Sequence, residues 1–203
     1  MDGCIAEAPG RRTVLTSSEA NRHAQRVRAE IDAIGVGVGT ILADDPLLTA
    51  RGAYRERPLV RVIFDRQLRT PPQSRVLSTP DAGPVIIVTT VAGAGREEVR
   101  NRLQQRGAEI EVAADPTLRA ALGRLGARHI GSLLLEGGST VHRAAWDEDV
   151  GDFVRLYVTP HVLGSLGLRF LDGRPFSSEA LLERRIASLG PDILIEGYVH
   201  GPH

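Results

Sequence analysis

Two segments hold the residues whose type and spacing could do chemistry. The first runs Asp32-Ala33-Ile34-Gly35-Val36-Gly37-Val38-Gly39-Thr40-Ile41-Leu42-Ala43-Asp44-Asp45-Pro46-Leu47-Leu48-Thr49-Ala50-Arg51; the second is Leu133-Leu134-Leu135-Glu136-Gly137-Gly138-Ser139-Thr140. Each is an apolar run that opens into glycines, then hydroxyls, then a helix start. Such a junction presents unpaired backbone N–H groups, which suit the oxygens of a phosphate. Glu136 stands at the end of its run, where open α/β sheets bind ligands, and the two glycines after it let a pyrophosphate approach the amides of Ser139 and Thr140. The same four residues also fit a tight strand–helix turn with an ordinary cap. Asp44-Asp45-Pro46 could serve proton transfer or a metal, but no other acid or histidine clusters nearby, and by spacing alone it reads most simply as a turn. All 25 basic residues are arginine. Lysine chemistry is therefore excluded, and a phosphate must be met by Arg, hydroxyls or amides.

These groups need a scaffold, and the hydrophobic pattern supplies one. Thr16 or Ser17 opens a helix, with Glu19 able to close a capping box and Ala20, Ala24, Val27 and Ile31 at helical spacing. Strands are expected at 33–38, 59–64, 85–89, 109–112, 132–136 and 153–159, and two more near 186–189 and 193–200. Helices are expected at 39–43 (a single turn), 96–106, 117–125 and 139–146; 91–95 reads as a loop. Alternating strands and helices predict an α/β sheet covered on both faces, with antiparallel strands added by the C-terminal quarter. Gly35-Val36-Gly37-Val38-Gly39 lacks the spacing of the dinucleotide fingerprint, and Asp44-Asp45-Pro46 leaves no room for the long helix that fingerprint requires. Asp65-Arg66 follows a strand, where an Arg could meet the 2′-phosphate of NADP or simply be a solvated surface residue.

Composition narrows the class further. The chain has 203 residues, a formal net charge of zero and one cysteine, Cys4. One domain over 1–203 is expected, with no internal disulfide, no multi-cysteine zinc site and no global field toward nucleic acid or membranes. No apolar run approaches a membrane span and no signal-peptide pattern precedes Gly10, so a cytoplasmic location is expected. The six histidines show no metal spacing.

Taken together, the segments resemble a known family. Arg28-Ala29, Asp32-Ala33-Ile34, Gly37, Gly39-Thr40 and the run from Asp44 to Arg51 are similar to the pyrimidine reductase of riboflavin biosynthesis, as are Phe64-Asp65-Arg66, Leu68-Arg69-Thr70-Pro71, Glu136-Gly137-Gly138 and the stretch from Leu156 to Gly164. The resemblance covers the whole chain. It implies a three-layer fold like that of dihydrofolate reductase, with a mostly parallel central sheet and antiparallel C-terminal strands. It implies NADPH-dependent reduction of the ribosyl group of 5-amino-6-(5-phosphoribosylamino)uracil to a ribityl chain, with hydride passing to the sugar C1′ of an open, imine form. On the resemblance, Arg28 and Arg51 hold the substrate phosphate, Leu48 contacts substrate through its backbone, and Glu136 binds substrate. Asp44 lies between cofactor and substrate and assists proton transfer. Thr40, Gly138, Ser139, Thr140, Val141 and His142 bind the cofactor, Arg66 meets its adenosine end, no metal is involved, and a homodimer is expected. Arg28 and Arg51 are expected across a shared crevice from the amides after Gly137, with Asp44 between.

Two departures stand out. The family commonly carries a Ser, and often a Trp two residues later, where this chain has Arg12 and Val14. That motivates a second reading, a same-fold reductase of another pteridine- or pyrimidine-like compound. A third is a nucleotide-binding module without catalysis. Residues 1–6 match the family just after its first, central strand, so that strand is expected upstream of Met1.

Overall fold

The computed structural model describes residues 3–8, 10, 13–171, 174 and 176–201. Arg12 therefore lies outside the described residues. The strands are β1 (Cys4–Ala6), β2 (Ala33–Gly37), β3 (Val60–Phe64), β4 (Val85–Thr90), β5 (Ala108–Ala113), β6 (Leu133–Leu135), β7 (Phe153–Val158), β8 (Leu168–Arg169), β9 (Leu182–Leu189) and β10 (Asp192–Tyr198). The helices are α1 (Ser18–Glu30), α2 (Val38–Asp44), α3 (Val91–Ala94), α4 (Glu97–Gln105), α5 (Leu118–Gly126) and α6 (Ser139–Asp147).

The central sheet is parallel throughout, in the order β5-β4-β3-β2-β6. Its strands are short Val/Ile/Leu runs because both faces are covered. On one face Ile34, Val36, Ile63 and Ile87 pack with Ile41, Leu48, Leu68 and Leu103 from α2, the loops and α4. On the other, Ala33, Val62, Ile86 and Val88 pack with Ala121 and Leu125 of α5. The C-terminal strands are antiparallel, as expected, but form a sheet of their own, β7-β10-β9. Among the described residues β6 ends one sheet and β7 ends the other, and no backbone ladder joins them. Cys4–Ala6 pairs with Leu168–Arg169 as a separate ribbon.

Local chemistry sets the element ends. Ser17 caps α1 by accepting from the Ala20 amide at 3.2 Å. Ala20 thus occupies the position where a capping box needs an acid, so Glu19 does not close one. At the other end Arg55 donates to the carbonyls of Arg28 (2.5 Å) and Ile31 (2.7 Å), satisfying groups the helix leaves open. Asp32 gathers the amides of Gly131 (3.0 Å) and Ser132 (2.9 Å), which sets the start of β6 beside β2. The 91–95 stretch is a short helix rather than the expected loop, because the Thr90 hydroxyl accepts from the Gly93 amide at 3.1 Å.

Candidate active site

Parallel strands deliver their C-terminal ends to one edge of the sheet, and the residues singled out by sequence lie there. β2 runs directly into α2, whose turns carry Thr40 and, at the last position, Asp44. β6 runs into Glu136, Gly137 and Gly138, and then into α6. Gly137 and Gly138 take φ of 78° and 90°, a region that favours glycine. A Cβ on either would lie 3.4 Å from the Thr40 Oγ1, so Thr40 faces the glycine turn. The approach of α6 to β2 depends on Gly37, where a Cβ would sit 2.8 Å from Val141 Cγ2.

The N-terminus of α6 leaves backbone donors open. Gly138 at its N-cap offers no side-chain acceptor. The amides of Val141 and His142 bond back to the Gly138 carbonyl at 3.0 and 3.1 Å. The amides of Ser139 and Thr140 precede that ladder, and together with the aligned helix dipole they suit a phosphate group. His142 turns inward: its Nε2 lies 3.4 Å from the Leu135 carbonyl, and its Nδ1 is buried with no protein partner. Burial holds its pKa below the usual imidazole value.

The substrate-side candidates meet through α1. Arg28 Nε donates to Glu136 Oε1 at 2.7 Å, its Nη2 donates to Glu136 Oε2, and its Nη1 donates to the Thr49 carbonyl at 3.0 Å. Arg28 therefore sits on Glu136, immediately before the glycine turn, and closer to it than the expected position across the crevice. Three residues earlier on the same helix, Gln25 accepts from the Arg51 amide at 2.7 Å. α1 thus pins the 49–51 stretch from two points and leaves the Arg51 side chain exposed. Gln25 was not singled out by sequence. Its spacing of three from Arg28 was the available signal, since residues three apart share a helix face. Leu48 has a buried side chain and a backbone φ of 53°, so what it offers outward is its peptide. Asp45, at φ 41°, accepts from the Arg75 amide at 2.8 Å and is a turn residue.

Arg66 is exposed at the end of β3. It borders a cavity of about 410 Å³ with Gln67, Thr90, Ala92, Gly93 and Arg96, at the C-terminal ends of β3 and β4. Arg96, missed by the sequence reading, is fixed by the carbonyls of Gln67 (2.7 Å) and Leu68 (3.3 Å). Near α1, His23 Nδ1 and the Tyr157 hydroxyl are 2.9 Å apart. Burial pushes the Tyr157 phenol up to about 12. Val14 is exposed. Among the described residues no cluster of His, Cys, Asp and Glu could hold a metal ion, and no helix is long and apolar enough to cross a membrane.

This arrangement, a parallel α/β sheet with open amides at a helix start and an arginine–carboxylate pair at one edge, is that of an α/β protein with a candidate ligand site at the C-terminal ends of its strands. The family follows from sequence: residues 1–195 match the RibD C-terminal domain, and the chain belongs to that family. It is 36% identical, over 99% of its length and 94% of the relative's, to the 2,5-diamino-6-ribosylamino-4(3H)-pyrimidinone 5′-phosphate reductase of Methanothermobacter thermautotrophicus. It is 29% identical to the riboflavin biosynthesis protein RibD of Aquifex aeolicus, of which it spans 54%. Acinetobacter baumannii RibD superposes with a TM-score of 0.77 at 25% identity, over 96% of this chain and 54% of that one. The chain thus spans about half the length of the RibD proteins it matches. The yeast riboflavin biosynthesis reductase Rib7 shares the fold, with a TM-score of 0.74 over 98% of this chain and 85% of that one, at 19% identity.

Proposed function

We propose that residues 1–203 act as one reductase domain that converts the ribosyl group of a 6-(5-phosphoribosylamino)pyrimidine into a ribityl chain, with NADPH as reductant, in riboflavin biosynthesis. Family membership supports the reaction class. The observation that carries the reading is the meeting of the Arg28–Glu136 pair, the glycine turn and Thr40 around the segment that holds Asp44.

The residues present fit the cofactor. Gly137 and Gly138 clear space beside Thr40, and the Ser139 and Thr140 amides offer donors for its phosphates, flanked by Val141 and His142. Arg66 and Arg96 border one cavity, and two guanidiniums there favour a cofactor with the additional 2′-phosphate over NADH. NADPH, when bound, supplies the hydride. Arg28 and Arg51 hold the substrate 5′-phosphate, and the Leu48 peptide contacts its body. The Asp44 carboxylate stabilises positive charge at the substrate nitrogen and assists the accompanying proton transfer.

Two substrates share the phosphoribosylamino group these arginines would read: 5-amino-6-(5-phosphoribosylamino)uracil and its 2-amino counterpart. The 36% identity to the archaeal reductase over nearly its full length favours the second. Both are assayed by NADPH oxidation. Turnover of at least one is expected, with Asp44→Asn lowering kcat about 100-fold. NADPH binding with turnover of neither would leave a nucleotide-binding module or a reductase of another heterocycle. A cytoplasmic location is part of this proposal, and it is supported by the lack, among the described residues, of a helix long and apolar enough to cross a membrane.

A homodimer fits the antiparallel sheet. Its register puts Ile186, Ile195 and Leu156 in one row, and Ser188, Ile193 and Val158 in the next. Ile186 is 62% exposed and Ile193 43%, so among the described residues one apolar face is left open. A second copy of this chain is the proposed cover.

A further inference from the structure

The side chain of Arg51 is exposed, so the positions it can reach are set by its backbone. α1 holds that stretch of backbone at two points. The Thr49 carbonyl accepts from Arg28 Nη1 at 3.0 Å, and the Arg51 amide donates to Gln25 Oε1 at 2.7 Å. The donor is a peptide N–H, so the oxygen end of the Gln25 amide is the end that faces it. Gln25 is itself buried, at 6% exposure, and its Nε2 reaches Asn21 Oδ1 at 3.5 Å. Among the described residues the Gln25 bond is the one hydrogen bond that Arg51 makes. Beyond Arg51 the chain is less constrained. Gly52 is exposed at φ 68°, with open space where a Cβ would stand, and Tyr54 is exposed. The next anchor is Arg55, which donates to the Arg28 and Ile31 carbonyls at the end of α1.

We infer that Gln25 is a positioning residue for recognition of the substrate 5′-phosphate, acting through Arg51, whose peptide it fixes beside α1. This rests on the proposed function, in which Arg51 holds that phosphate. An exposed arginine keeps its rotamer freedom until a phosphate captures it, and that loss is met whatever the backbone does. With its peptide untied, binding must also order the backbone around 51–54, and affinity for the phosphate falls by that additional loss. A ligand without the phosphate does not draw on Arg51 and is indifferent to Gln25.

The test is calorimetric binding of 5-amino-6-(5-phosphoribosylamino)uracil and its 2-amino counterpart, each beside its dephosphorylated riboside. The proteins are wild type, Gln25→Met, Arg51→Met and the double variant. The measured quantity is the ratio of the two dissociation constants, the phosphate preference. Gln25→Met, close in length but without the acceptor, is expected to lower that ratio about 5-fold. Arg51→Met is expected to lower it at least as far, and the double variant no further than Arg51→Met alone. In turnover, Gln25→Met should raise the KM of the phosphorylated substrate and leave kcat in place. If Gln25→Met weakens phosphate and riboside equally, or lowers thermal stability with the preference intact, Gln25 only supports the fold and the inference fails. If it lowers the preference just as much in the Arg51→Met background, it does not act through Arg51 and the inference fails as well. Should Gln25→Met not fold, Gln25→Ala, which favours helix and lets water reach the Arg51 amide, carries the same comparison. Turnover is read separately from binding, so wild type that prefers the phosphorylated compound but never oxidises NADPH refutes the proposed reaction, and the ratios still decide the role of Gln25. Wild type with no phosphate preference, or with no binding of any of these compounds, refutes the inference.

Discussion

Gly138 shows how much of the site depends on single backbone angles. At φ 90° an added Cβ meets only ordinary contact with Thr40, so the penalty for Gly138→Ala is conformational and not steric. We expect about 1–3 kcal/mol of strain. The chain can relieve it by rotating the peptide that leads into the Ser139 amide, so NADPH affinity should fall by more than thermal stability does. Calorimetry and thermal melts on the same variant check this. Gly37→Ala fails differently, since its Cβ drives against Val141 and lifts α6 away from β2. Leu48 keeps a left-handed φ although it is not glycine. Its side chain is clamped in the core among the α2 and β2 residues, and that clamp holds the strained peptide in place.

At the scale of elements, α1 is the organiser. Through His23 it bonds Tyr157 of β7, through Gln25 the Arg51 amide, and through Arg28 both Thr49 and Glu136. Tyr157→Phe removes the His23 bond that ties α1 to β7, while Ser17, the cap of α1, keeps its bonds to Leu189 and Asp192. It is expected to cost about 1 kcal/mol, read from denaturant unfolding. α6 contributes a pH dependence. Burial of His142 favours its neutral form in the folded chain, whereas the unfolded chain takes up a proton at the usual value of 6.5. Between that value and the depressed folded one the unfolded state binds more protons, so stability rises with pH. Stability from this group is complete above the usual value and is lost as pH falls below it. Melting temperatures across that range should drop more steeply for wild type than for His142→Gln.

For the whole molecule, no backbone ladder joins the two larger sheets among the described residues. The parallel sheet holds the site at its C-terminal edge, and the antiparallel sheet shows a face of Ile186, Ile193 and Ile195. If that face is the interface between two copies, Ile186→Arg should convert a dimer into a monomer in sedimentation velocity while the circular dichroism stays unchanged. A wild-type monomer at high concentration would remove the proposal. The parallel sheet was legible in sequence because strands such as 85–90, buried on both faces, must be continuous Val/Ile runs. The pairing of Cys4–Ala6 with Leu168–Arg169 was not, since two- and three-residue strands carry no periodicity.

Local chemistry is written in local sequence. A glycine pair after an apolar run, an aspartate before a proline and a serine ahead of an amphipathic helix each act over a few bonds, so the turn at 137–138, the end of α2 and the start of α1 could be read directly. The antiparallel C-terminal strands could also be read, but not that they would stand as a separate sheet. Nor could the locking of Arg28 by Glu136, 108 residues away, or the joining of Gln25 to Arg51. Those depend on strand order β3-β2-β6 and on how α1 lies across it. Hydrogen bonds between distant side chains form only after packing has placed both partners, and no spacing along one chain encodes that distance.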